Sequence, residues 1–263
     1  QSEPLTASWF NQPLNVDFST KEGAKAYQVA VNLNGNWQPA KTGVLPEAVN
    51  EALSGSVAWD GKVGIELPYH AGATYNVELN GDLNNVSSHL PSPLAKPAGE
   101  PLAVNVKVDG NLNSFELTGQ AGADNHFNSR WLLGQKLTLD RAIWAADSKT
   151  LPPLPEQSGV ELNMPPMNGA EWLALFQKGA AESVGGAASF PQHITLRTPM
   201  LSLGNQQWNN LSIVSQPTAN GTQVEAQGRE INATLAMRNN APWLANIKYL
   251  YYNPSVAKTR GDS

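Results

Sequence analysis

Four histidines, His70, His89, His126 and His193, are the first candidates for chemistry, and their spacing offers none. None begins a His-Glu-x-x-His pair or sits at metal-ligand spacing, so each reads as a surface or strand histidine and no metal is expected. A nucleophile elbow, a phosphate-binding loop and a dinucleotide fingerprint are equally missing, which leaves no cofactor to expect. Carboxylate pairs for glycoside hydrolysis can be assembled from distant parts of a chain. Here, however, Asp60, Asp82 and Asp109 read as turn residues, where Asp serves the backbone. The chain is therefore expected not to be an enzyme. Its eight tryptophans are more informative: exposed, they would stack on sugar rings, and buried, they are core. Trp37 and Trp59 fall at apolar positions of alternating segments, so core or groove is expected for that pair.

Charge and cysteine usage narrow the partners. A net charge of −5, with no Lys/Arg cluster longer than a pair, excludes the concentrated positive surface that nucleic acid requires. With no cysteine there is neither a disulfide framework nor a thiolate metal site, and an oxidising compartment is tolerated. Only 15% of the 263 residues are charged while about a tenth are Asn. Solubility therefore rests on amides and hydroxyls, a composition that fits an extracytoplasmic β surface. No run approaches the roughly 18 apolar residues of a membrane helix.

The elements that would position any site follow one grammar. Val106 to Phe115, Val-Lys-Val-Asp-Gly-Asn-Leu-Asn-Ser-Phe, nearly repeats Val77 to Val86, Val-Glu-Leu-Asn-Gly-Asp-Leu-Asn-Asn-Val. Val106, Val108 and Leu112 share the parity of Gly110, so alternation continues through the glycine. Gly110 and Gly81 thus read as inward corners of bent strands, with no side chain where a sheet turns. Gly35 and Gly61 repeat the pattern more weakly. Two-residue hairpin loops are expected at Leu112-Asn113-Ser114-Phe115, Leu83-Asn84-Asn85-Val86 and Trp208-Asn209-Asn210-Leu211, where Asn tolerates positive φ.

Read in order, the chain divides into a first β-repeat stretch at 1–155, a linker and helix at 156–187, a second β meander at 188–252 and a disordered, cut tail at 253–263. Within the first stretch, Leu45 to Leu53 reads as a short helix. Ser87 to Pro101, with four prolines, must cross outside the sheet. Asn168-Gly169-Ala170-Glu171 opens the one clear helix, through Ala181, with Trp172, Leu175, Phe176 and Gly179 on one side. Ile194–Thr198 and Met200–Leu203 begin a run of five or six strands to Tyr251. The fold class is mainly β, antiparallel, with one clear helix and one short one.

The segment from Ile194 to Tyr252 resembles the repeat region of the bacterial AsmA-like family. The residues are Leu196-Arg197-Thr198-Pro199-Met200-Leu201-Ser202-Leu203-Gly204, Trp208-Asn209-Asn210-Leu211, Gly228-Arg229-Glu230-Ile231-Asn232-Ala233 and Pro242-Trp243-Leu244-Ala245. Leu45-Pro46 through Trp59 is similar to that family's proline-led link into a Trp-containing strand. The resemblance implies a curved repeat sheet forming an open, U-shaped, taco-like groove that carries phospholipid across the periplasm between inner and outer membranes. The groove lining it implies comprises Val77, Leu79, Val104, Val106, Val108 and Leu112 in the first stretch. In the second it comprises Leu201, Leu203, Ile213, Val224, Ile231 and Leu235. The chain would be an internal section, continued at both ends by the rest of its own polypeptide and anchored in the inner membrane outside this section.

The competing expectation is a carbohydrate-binding or adhesive β-sandwich, with Trp131, Trp144 and Trp208 stacking on sugars from outside. One continuous sheet or two packed ones decides between them.

Overall fold

Alternation of apolar and polar residues over long runs makes strands of more than half of the chain. The computed structural model describes residues 5–9, 11–43, 45–179, 188–252 and 254. The first strands are β1 Leu5–Trp9, β2 Gln12–Glu22 and β3 Ala26–Trp37. A short excursion follows, through helix α1 Glu47–Asn50 and strand β4 Leu53–Ser54. The sheet resumes with β5 Val57–Pro68 and β6 Thr74–Asp82, and a second excursion contains β7 Ser87–Ser88. Next come β8 Ala103–Asn111, β9 Ser114–Ala121, β10 Asn125–Leu133 and β11 Leu137–Ala146. A central region holds β12 Gly159–Asn163, β13 Met167–Asn168, helix α2 Gly169–Gln177 and β14 Ala188–Ser189. The chain ends in β15 Ile194–Leu203, β16 Gln206–Thr218, β17 Gly221–Gln227, β18 Ile231–Arg238 and β19 Leu244–Leu250.

Seventeen of these strands form one sheet, and only β4 and β7 pair apart from it. From β1 to β11 each sheet strand pairs antiparallel with the next sheet strand along the chain. The same holds from β15 to β19. Among the described residues no pairing joins the two ends, so the sheet is open, and the sandwich expectation fails because those residues form no second large sheet to pack against.

At the centre the sheet turns parallel: β12 runs parallel to β11 and to β15, β14 to β11 and β13 to β15. The cause is the proline-rich stretch after β11, which returns along the sheet before β12 begins, since parallel neighbours require a crossover. Asn128 Nδ2 donates to the Pro152 carbonyl at 3.0 Å, and Arg141 Nη1 to that of Pro155 at 3.4 Å. This return covers one face of β10 and β11, and His126, Ile143 and Ala145 are buried there.

Several local expectations shift. Gly81 and Gly110 are each the penultimate residue of their strand instead of a corner in mid-strand, and the β8–β9 hairpin turns at Leu112-Asn113, one residue early. Asn111 Oδ1 accepts from the backbone amides of Asn113 and Ser114 and captures the turn there. Leu83–Val86 is a turn, with the Val86 amide donating to the Leu83 carbonyl at 3.0 Å, yet the chain then leaves the sheet instead of forming a hairpin. Asn209 and Asn210 sit inside β16, not at a tip. Asp60 and Asp109 are strand residues, whereas Asp82 does cap a turn, accepting from the amides of Asn84 and Leu102.

Helix α2 starts as expected, Asn168 Oδ1 accepting from the amides of Ala170 and Glu171. It ends at Gln177, and the part expected from Ala180 onward lies outside the described residues, as does the expected tail apart from Pro254. Trp172 packs on the sheet's main buried cluster, but Phe176 is 54% exposed, so only part of the anticipated apolar stripe is covered.

Candidate functional site

The site is one face of this sheet, and the pairing register defines it. Across the strands, Leu33, Gly61, Leu79, Val106, Gly119 and Phe127 stand directly opposite one another in succession. The row continues through Trp144, Leu162, Leu196 and Ile213 to Ala226, Ala233 and Ile247. Val16 precedes it on β2. No polar side chain interrupts this row. A parallel row two residues along each strand runs Phe18, Val31, Val63, Val77, Val108 and Leu117 in the first half. Only Ser129 and Ser215 break the apolar character of its continuation through Ala142, Val160, Ile194, Val224, Leu235 and Ala245.

Between these rows, on the opposite face, lie Asp17, Asn32, Lys62, Glu78, Lys107 and Thr118. The two faces differ because side chains alternate along every strand and the register keeps each parity aligned with its neighbour's. Lys62, Glu78 and Lys107 are exposed, whereas Val77, Leu79, Val106 and Val108 are half-buried. The apolar face therefore remains open to contact over much of its length instead of being sealed in a core.

The glycines are covered by neighbours on this face. A Cβ at Gly110 would stand 2.5 Å from Phe115 Cβ and 2.7 Å from the Tyr75 hydroxyl; at Gly61 it would stand 2.5 Å from Leu79 Cδ2. Burial also pushes the Tyr75 phenol above its usual pKa of 10.0. Trp37 and Trp59 meet edge to face, ring centroids 5.1 Å apart, and both indole nitrogens approach within 3.0 Å of the position a Gly35 Cβ would take. Large rings thus fill the space the missing side chains leave.

In β15 the alternation breaks. Leu196 and Leu201, an odd number of residues apart, pack against the same cluster of Ala146, Met164 and Met167. Between them Pro199 stands beside Asn210, whose φ is +48°, at the one unpaired step of that ladder. The proline has no amide to donate and the asparagine reverses the local backbone hand, so parity flips and Leu201 joins the apolar face.

Of the anticipated lining residues, Val77, Leu79, Val104, Val106, Val108, Ile213, Val224 and Leu235 lie half-buried in or beside these rows, and Ile231 shares the parity of Ala233 and Leu235. Leu201 packs on the central cluster and Leu203 is 40% exposed at the end of β15. Leu112 sits in the hairpin turn at 65% exposure, away from the rows, because that turn closes early. The sequence reading missed Phe127, Trp144, Leu162, Leu196 and Ala226. Extending parity through every strand would have found them, except Leu162, whose short parallel strand carries little periodic signal.

Trp131 stacks on Phe115 with ring centroids 6.0 Å apart, and Trp144 and Trp208 are half-buried, so the three do not form an exposed sugar platform. Among the described residues no group of three or more His, Asp or Glu side chains could hold a metal ion, and no helix is long and apolar enough to cross a membrane.

An open sheet crossed by one unbroken apolar row, with polar residues on the opposite face of its first half, defines a mainly β, repeat-sheet class of protein. The chain belongs to the YhdP protein family, whose model matches residues 1–263. It is 98% identical over all 263 residues to the intermembrane phospholipid transporter YhdP of Escherichia coli (strain K12), and it spans 21% of that relative's length. No solved structure matches it.

Proposed function

We propose that this chain is a section of a periplasmic bridge that conducts phospholipid between the inner and outer membranes, acyl chains lying along the apolar face and headgroups in water. The observation that carries this reading is the unbroken apolar row from Leu33 to Ile247 across successive strands. Each methylene kept from water is worth roughly 0.8 kcal/mol, so a continuous lining removes most of the barrier to carrying an acyl chain through an aqueous space. No bond is made or broken, which agrees with the scattered histidines and carboxylates. The name of the E. coli relative supports the choice of phospholipid and of an envelope-spanning location.

The ends of the sheet support its continuation by flanking sections of the same polypeptide, anchored in the inner membrane elsewhere. On β19, Leu244, Ile247 and Leu250 are each more than half exposed. An uncovered apolar edge strand is an aggregation hazard unless another strand pairs with it. Photo-crosslinking in the full-length protein tests the reading. Phospholipid should be captured from Val106 and Val108 and little from Lys107 between them; equal capture at all three, or capture at Lys107 alone, overturns it.

A further inference from the structure

Between β6 and β8 the chain leaves the sheet and folds back over its apolar face as a strap. The strap is held at several points. Ser88 and Lys96 exchange backbone hydrogen bonds of 2.8 and 3.0 Å, the Lys96 ammonium donates to the carbonyls of Val86 and Pro97 at 2.9 Å, and β7 pairs with β4. From the far side of the sheet's centre, Trp172 Nε1 on α2 donates to the Ser92 carbonyl at 3.0 Å, a contact between residues 80 apart in sequence. Leu90 is 8% exposed.

A mostly apolar cleft of about 420 Å³, partly open to solvent, lies between strap and sheet, with Leu90, Pro93 and Leu94 as its roof, Val106, Leu117 and Phe127 on its floor, and Lys96, Gln120 and Asn125 among the polar residues at its border. Its largely apolar walls give water little to bond. A space of this size and chemistry suits a flexible hydrocarbon. A methylene takes about the room of one water in the liquid, roughly 30 Å³, so the cleft has room for on the order of fourteen carbons, the length of one acyl chain.

We propose that the strap roofs part of the apolar face to make a covered site for a single phospholipid acyl chain, latched by Trp172, where a two-chain lipid must lift the roof to move on. This rests on the conduction reading. It adds to that reading a place where transit is gated by the protein's own fold.

The test uses a photo-crosslinking side chain in the full-length protein at Leu94 in the roof, and at Val108 on the same sheet face but outside the cavity. Both should capture phospholipid. Gly119→Leu should then cut capture at Leu94 several-fold while Val108 still captures. A Cβ at Gly119 meets only ordinary contacts, the nearest 3.8 Å away, so the new side chain can grow into the cavity without striking backbone; Gly119→Val is the smaller filler should the first misfold. Capture at Val108 without capture at Leu94, or capture at Leu94 that ignores the filler, overturns the covered site and leaves conduction standing. Capture at neither position overturns conduction and the covered site with it.

Discussion

Tyr75 and Gly110 face each other directly across β6 and β8, and the tyrosine hydroxyl lies where a side chain on the glycine would begin, 2.7 Å from its Cβ position. With Phe115 Cβ at 2.5 Å on the other side, the site has no room for even a methyl group. Gly110→Val should therefore destabilise the fold by about 1 to 3 kcal/mol, as overpacking generally does. Gly81→Ala should cost less, because its Cβ would first meet Val57 Cγ2 at 3.2 Å, a contact that a shift of a few tenths of an ångström relieves. Urea unfolding of the two variants ranks them, and equal midpoints would refute the difference.

The kink between Leu196 and Leu201 depends on a left-handed residue. Asn210→Gly should be neutral within about 0.5 kcal/mol, while Asn210→Val should cost about 1 to 2 kcal/mol, because a branched side chain resists positive φ. Thermal unfolding of both variants checks this, and a tolerated valine would mean the bend is not held by Asn210.

On α2, two aromatic residues should behave differently. Trp172 packs on the central cluster and bonds to Ser92, so Trp172→Ala should cost about 3 kcal/mol, the lower end for a buried aromatic. Phe176 is 54% exposed, and Phe176→Ala should cost under about 1 kcal/mol. Reversed costs in denaturant titration would place the helix the other way round.

A charge should act according to face. Val106→Glu places a carboxylate between Leu79 and Gly119 on the apolar row, where it must stay hydrated or pay desolvation, and lipid transfer by the full-length protein should fall at least tenfold. Lys107→Glu, on the polar row beside Glu78 and Thr118, should leave transfer within about twofold. Assay of transfer between donor and acceptor membranes separates the two, and equal losses would remove the distinction between faces.

The hairpin at Leu112 shows where reading a chain by itself falls short. Alternation placed Val106, Val108 and Gly110 on one face, but it could not say that Asn111 would capture the next two amides and close the turn early. Trp208-Asn209-Asn210-Leu211 has the same composition as a hairpin tip, yet lies within β16 because the strand pairs with β15 and β17 beyond it. Turn chemistry is local, whereas whether a turn reverses the chain depends on which strand lies beside it.

The sequence by itself determined what is periodic and local: strands with an apolar side and a polar side, glycines inside them, an Asn-capped helix and a proline-rich departure from the sheet. These follow from side chains alternating every residue and from backbone preferences that act within a few positions. Tertiary structure decided which strands are neighbours, that β12 enters parallel between β11 and β15, and that the apolar positions align into one row. It also brought Trp172 to Ser92 and set the strap over the sheet. Those relations join residues far apart in sequence, and pairing and burial choose among registers that a periodic pattern leaves equally available.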